Sequence, residues 1–487
     1  MVFSTQNLLV TPRSEVILRS IGKQQARNIL GEKSISILYM KVLQLSAISA
    51  WYGMAMLASL SPTMAHAVPP VKFASPVPYG ALNASDVAVN DFDGDGKMDF
   101  ASVTRLPNLM SVFTNSGNGS FGISSNYALP NQPFSIAAGD LNGDGKPDIV
   151  ATWRGVISVF TNVNNATFAP AIDYGIFTNN ALILSSVSLG DFNGDHKLDI
   201  AVGILGSNVV TVLLNNGNGT FGSPTNFPTH STANMGPITI TLADLNNDGI
   251  LDIVTANGSG GDSISVLLGN GDGSFSFGTN YSTKGYPICA VVGDFNNDGK
   301  PDIAATNPGE NSIGLLFGNG DGTFGTAITT QVLADPRPMA AGDLNGDGNL
   351  DLVMVHNSIT STSARGILLG KGDGSFLAET NAFAPPPVNR IIVADVNGDN
   401  QPDLLIAASS GVSIYLNQSV PTLKGDYQTG RLVLQWPNWA GYILETATML
   451  PTDTWIAVTD TPALVNNQNS LTNFVTGSNQ FFRLNHH

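Results

Sequence analysis

A chain of 487 residues, 42% hydrophobic and only 12% charged, is longer than one ordinary compact domain and is not a disordered polymer. Its formal charge of -16 excludes a polyanion such as DNA as partner, since that requires a clustered basic surface. One cysteine, Cys289, excludes a disulfide framework, while 52 glycines among many Asn, Ser and Thr residues favour short strands and tight turns over long helices.

The first predicted element is a leader. From Met40 the chain reads MKVLQLSAISAWYGMAMLASLSPTMAHA: a basic start at Lys41, an apolar run, and a small-residue cleavage pattern at Ala65, His66 and Ala67. This predicts export with cleavage after Ala67, translation starting at Met1 or at Met40, and a single membrane anchor as the competing reading. No other segment is apolar enough to span a bilayer.

After the leader, a nine-residue acidic stretch recurs seven times, at starts about fifty residues apart. The copies are DFDGDGKMD (Asp91), DLNGDGKPD (Asp140), DFNGDHKLD (Asp191), DLNNDGILD (Asp244), DFNNDGKPD (Asp294), DLNGDGNLD (Asp343) and DVNGDNQPD (Asp395). They hold 22 of the 37 acidic residues, so most of the negative charge is ligand charge rather than a solvating surface.

One unit, GYPICAVVGDFNNDGKPDIAATNPGENSIGLLFGNGDGTFGTAITTQ, reads as an apolar strand entering the acidic loop, then strands from Asp302, around Ile313–Phe317 and from Phe324. A four-stranded unit cannot bury both faces without a neighbour, and radial packing of such units is a propeller. Glycine turns ending at Phe121, Phe168, Phe221, Phe275, Phe324 and Phe376 mark the passage from third to fourth strand. Cys289, in the run ICAVVGDF, reads as a small buried hydrophobe. The seventh unit stops near Asn417 without a fourth strand. VKFASPVPYG, early in the chain, matches the missing piece, so residues 71–79 are predicted to pair with residues 412–417 and close the ring.

With these motifs the chain resembles FG-GAP (VCBS-type) repeat proteins. The resemblance spans residues 68–418 and implies the seven-bladed β-propeller of integrin α chains, with calcium in a DxDxDGxxD loop between the first two strands of a blade. Every blade here carries the loop and nothing matches an inserted adhesion domain, so integrin ligand specificity does not transfer.

The loop chemistry suits calcium, a hard cation taking six to eight oxygens. In the first copy Asp91, Asp93, Asp95 and Asp99 offer side chains and Lys97 its carbonyl, with water completing the shell. The corresponding sets are Asp140, Asn142, Asp144, Lys146 and Asp148; Asp191, Asn193, Asp195, Lys197 and Asp199; Asp244, Asn246, Asp248, Ile250 and Asp252; Asp294, Asn296, Asp298, Lys300 and Asp302; Asp343, Asn345, Asp347, Asn349 and Asp351; and Asp395, Asn397, Asp399, Gln401 and Asp403. Glycine at the sixth position permits the sharp turn, and His196 and Asn400 replace it with residues that tolerate left-handed geometry. An EF-hand is ruled out because no twelfth position is acidic; zinc lacks its Cys and His ligands, and magnesium seldom uses an all-protein cage.

Strand order puts the acidic loops and glycine turns at one end of each blade and the second-to-third hairpins at the other. The hairpin end varies between copies and offers Arg105, Trp153, Arg154, His356 and Arg365 as ligand-binding candidates, Trp153 being either a sugar platform or inter-blade packing. Blade six is longest there, through ITSTSARG. Residues 419–487 leave the repeat, and RLVLQW, YILETAT, TWIAVTD and QFFRLN read as a small β-sandwich module holding Trp436, Trp439 and Trp455, with a frayed end at His486 and His487.

The expectation is an all-β, monomeric, secreted or cell-surface protein carrying about seven Ca2+ ions and binding a glycan or protein without catalysis. A polysaccharide-active enzyme of lyase type, or a purely structural module, are the alternatives. The chain has no nucleophile elbow, no HExxH and no redox motif.

Overall fold

The computed structural model describes residues 71–487 apart from 81, 177–181, 230–235, 259–262, 357–363, 384–387, 422, 429–430, 448–455, 466–467, 475–480 and 487, together with four two-residue strands between residues 6 and 37. The expected leader over residues 40–67, Trp455, His487 and most of the ITSTSARG insertion therefore lie outside the described residues.

Seven four-stranded antiparallel sheets are present among the described residues of the repeat region. Their first strands are Ala84–Asn90, Ser135–Gly139, Ile183–Gly190, Thr239–Ala243, Cys289–Gly293, Pro336–Gly342 and Val388–Ala394. Each of these packs on the next, and the last packs on the first, so the sheets form a closed propeller around the inner strands. The ninth acid of every acidic loop is the first residue of a second strand, as in Asp99–Arg105 and Asp302–Asn307. Second strands are buried on both faces between neighbouring sheets, which is why they read as continuous apolar runs.

The core lies between blades. Val87, Phe100 and Phe113 of the first sheet share one cluster with Leu405, Val412 and Ile414 of the seventh, each side chain contributing about 1.5–3 kcal/mol when fully buried. Aromatic pairs repeat at the rim: Tyr127, Tyr174, Phe227 and Tyr281 on outer strands meet Phe168, Phe221, Phe275 and Phe324 of the following blade edge to face, at 5.3–5.8 Å between centroids.

Ring closure takes the expected form. Tyr79, Pro78 and Val77 pair with Val412, Ser413 and Ile414, and Phe73 bridges Asn417. Tyr79 then meets Phe100, Phe113 and Phe121 edge-on. The fifth sheet departs from expectation, because its fourth strand runs Ile328–Gln331 rather than starting at Phe324. Phe324 is drawn inward onto Tyr281 of the preceding blade and makes only an isolated bridge to Gly318.

The C-terminal residues form a four-stranded and a three-stranded sheet around Leu432, Leu434, Trp436, Leu444, Leu471, Phe482 and Leu484. His486 is not a frayed end; it sits in the strand Phe481–His486 opposite Tyr442. Among the described residues no helix is long and apolar enough to cross a membrane.

Candidate metal centre

All seven acidic loops fold by the same set of side-chain-to-backbone hydrogen bonds. The first acid receives the amide of the sixth residue: Asp91 from Gly96 at 2.8 Å, Asp140 from Gly145 at 2.8 Å, Asp191 from His196 at 2.8 Å, Asp244 from Gly249 at 2.8 Å, Asp294 from Gly299 at 2.8 Å, Asp343 from Gly348 at 2.7 Å and Asp395 from Asn400 at 2.7 Å. That turn needs positive φ at the sixth residue, and His196 and Asn400 adopt it at 63° and 62°. The third side chain accepts from the fifth amide and the fifth from the seventh, as Asp93 from Asp95 and Asp95 from Lys97. Carboxylate and amide oxygens are thereby held inside the loop instead of pointing outward.

The ninth acid has a role that spacing alone does not reveal. Its two oxygens accept one amide from its own loop and one from the end of the third strand: Asp99 from Phe92 (2.9 Å) and Asn115 (2.7 Å), Asp302 from Phe295 (3.0 Å) and Gly318 (2.9 Å). Asp148, Asp199, Asp252, Asp351 and Asp403 repeat the pattern. Each pins its loop to the end of the third strand.

A second tie runs between blades. The backbone carbonyl of the second loop residue receives a donor from the glycine turn of the adjacent sheet. Phe92 receives Ala166, Leu141 receives Gly219, Phe192 receives Gly273, Leu245 receives Gly322 and Phe295 receives Gly374. Leu344 and Val396 receive the side-chain amides of Asn417 at 2.9 Å and Asn115 at 2.6 Å. The visible signal was the residue opening the turn motif, which is Asn at 115, 162, 215 and 417 and Gly at 269, 318 and 370, where a Cβ would strike a carbonyl oxygen at 2.1–2.5 Å.

Does this donor set fit calcium? Carboxylate oxygens of Asp91, Asp93 and Asp99 lie within 4.8 Å of one another, a span one ion bridges with bonds of about 2.3–2.6 Å. The donors are all hard oxygens, as calcium requires. At the seventh position the lysine side chains turn to the fifth acids, Lys97 to Asp95 at 2.7 Å and Lys197 to Asp195 at 3.3 Å, leaving the backbone carbonyl as the only oxygen that residue offers. These ammonium groups are exposed, so the pairs contribute little. Ile250, Asn349 and Gln401 bring no cation to their loops.

Burial makes the ninth acids resist ionisation. Asp99 and Asp148 are pushed up to about 6, Asp403 to about 7 and Asp351 to about 8; backbone amides oppose the shift and neighbouring acids add to it. Asp343 is likewise pushed up to about 6 by burial. A carboxyl whose folded pKa lies above its unfolded value near 3.8 favours folding in its protonated form. The resulting penalty is absent below about 3.8, grows through these values and is complete above about 8. Calcium-free protein is therefore expected to melt at a higher temperature at pH 5 than at pH 8, with calcium narrowing the gap, and calorimetry in metal-stripped buffer at both pH values checks this. A higher melting point at pH 8 would contradict it.

The ligand-binding candidates divide. Trp153 is buried and donates its indole N–H to Ser158 Oγ at 2.9 Å. His356 is buried between the Ala334 carbonyl and the Glu379 carboxylate, and buried Arg365 stacks 3.8 Å from the Tyr415 ring centroid. All three are corrected from surface ligands to buried residues: Trp153 and His356 are bonded within their own sheet or the segment leading into it, and Arg365 packs on the next blade. Arg105, which donates to Ser85 Oγ at 3.0 Å and lies over the Phe134 ring, and Arg154 remain half-buried at the hairpin end.

A family model described as FG-GAP-like repeat matches residues 91–151, 149–202, 202–255, 244–305 and 294–354, together more than half the chain. Among solved structures, BBS1N in complex with ARL6DN is similar in its lead-soaked form with TM-score 0.50 and 14% identity, covering 71% of this chain and 96% of that one. The mercury-soaked form gives 0.50 and 13% over the same shares. A lectin of Agrocybe aegerita that recognises non-reducing terminal N-acetylglucosamine gives 0.44 and 22%, covering 63% of this chain and 79% of that one. No curated protein matches this chain in sequence.

Proposed function

Because this chain belongs to the FG-GAP-like repeat family, we propose that it is an exported propeller, stiffened by about seven calcium ions, that binds a glycan or protein partner without catalysing a reaction. The observation that carries this is the sevenfold recurrence of one loop geometry, with first, third, fifth and ninth side chains folded inward. The side chains of the first, third, fifth and ninth residues of each loop and the backbone carbonyl of the seventh would hold the ion, and when bound the ion neutralises carboxylates that otherwise repel.

A rigid ring of this kind holds the variable hairpin end in place, and loops on a rigid scaffold are where binding residues concentrate. Arg105 and Arg154 are the side chains at that end best placed to meet a partner. The similar BBS1N structure is itself a complex with another protein, ARL6DN, and at 14% identity it supports the scaffold alone. Export is supported by the leader pattern ending at Ala67.

The test is an array of glycans and of secreted proteins probed with calcium-loaded protein. Binding should be abolished by chelator and weakened about tenfold by Arg105→Ala or Arg154→Ala, the loss of one charge-assisted contact. Silence on both arrays, together with product release from a polysaccharide, would replace this function with an enzymatic one.

A further inference from the structure

The seven loops are not equivalent in their surroundings. In the first five the fifth-position acid, Asp95, Asp144, Asp195, Asp248 or Asp298, is exposed. In the sixth, Asn345 and Asp347 are buried, at 0% and 7% exposure, and in the seventh Asp399 is half-buried. What covers them is the C-terminal module. Pro437 and Trp439 press on the Gly346 backbone so closely that an added Cβ there would come within 2.7–2.8 Å of them. The Ala440 amide donates to the Asp399 carbonyl at 2.7 Å. Between module and ring lies a cavity of about 510 Å³, into which Asp343, Asp347 and Asp395 face Lys424, Trp439 and Gln468.

The charges on the two sides do not match. Four of the other loops place a lysine at the seventh position, whose ammonium reaches the fifth acid in Lys97–Asp95, Lys146–Asp144, Lys197–Asp195 and Lys300–Asp298. The two covered loops carry Asn349 and Gln401 instead, and among the described residues the one cation the module brings to the cavity is Lys424. Carboxylates taken out of water with one ammonium between them oppose docking, whereas a divalent ion in each loop removes that opposition.

The geometry points to the C-terminal module as a cap whose seat is the calcium-loaded form of the sixth and seventh loops: the ions hold the module down, and the module in turn slows their escape. This rests on the proposed calcium binding and adds that two of the sites are enclosed while the other five are open. It also gives Trp439 a place at the interface rather than in the module's own core, which Trp436 occupies.

Stopped-flow release of calcium from the full chain into excess fluorescent chelator tests the cap. Five ions are expected in a fast phase and two in a phase about tenfold slower or more, since escape must wait for the module to lift. Trp439→Ala should merge the phases. A second pair of variants guards against a mutant that merely misfolds. Asp343→Asn with Asp395→Asn should raise amide hydrogen exchange over residues 431–447 by about tenfold or more, while Asp140→Asn with Asp191→Asn leaves that segment unchanged. Release of all ions in one phase, with exchange over residues 431–447 indifferent to both pairs, overturns the cap and leaves calcium binding standing. Failure to bind calcium at all overturns the function beneath it.

Discussion

Removing calcium is expected to lower the melting temperature of this protein by roughly 4–14 °C, as read by differential scanning calorimetry with and without chelator. Extracellular modules bind calcium at about 10⁻⁴ to 10⁻³ M, so one millimolar ion stabilises a site by about 0.4–1.4 kcal/mol. Seven independent loops then contribute roughly 3–10 kcal/mol, comparable to the whole stability of a domain at about 5–15 kcal/mol. Because each loop is bonded through its second carbonyl to a turn of the adjacent sheet, loss should be a single steep transition rather than seven small steps. An unchanged melting temperature would remove calcium from the account of this fold.

Asp302→Ala is expected to be the most damaging single substitution in a loop, by about 2–6 kcal/mol in urea unfolding of calcium-free protein. It strands the buried amides of Phe295 and Gly318, and an unpaired buried donor costs about 1–3 kcal/mol. Asp302→Asn keeps one acceptor and should cost about half as much. Asp298→Ala, at the exposed fifth position, should stay within about 1 kcal/mol in the same buffer. Working without metal separates the two roles, since both acids are also proposed calcium ligands. Equal costs for Asp298→Ala and Asp302→Ala would mean that the ninth acid is a ligand and nothing more.

These two residues also show how far a sequence can be read. Period, loop ends and glycine turns are local features, and they locate the strands of each unit; the completing segment Val77–Tyr79 follows from the repeat count, since the seventh unit lacks a fourth strand. The ninth acid was visible as an acid, but its bond to a residue about sixteen positions away depends on where the third strand ends. The burial of Trp153, His356 and Arg365 escapes the sequence for a related reason: a residue at a strand end has two faces to choose from, and partners such as Ser158, Glu379 and Tyr415 decide between them. The cover over Asp347 was invisible altogether, since it joins segments about ninety residues apart that share no motif.

The pairing of Val77–Tyr79 with Val412–Ile414 bears on how the molecule is made. Lys72 bonds Ser419 across 347 positions, so the seventh sheet cannot be finished while its own C-terminal strands are still on the ribosome. The earliest residues of the propeller must wait, unpaired, for the latest. Such long-range contacts are slow to form, and the exposed edge left behind in the meantime invites other chains. A polypeptide built this way can close its ring only once both ends of the repeat region are free to meet.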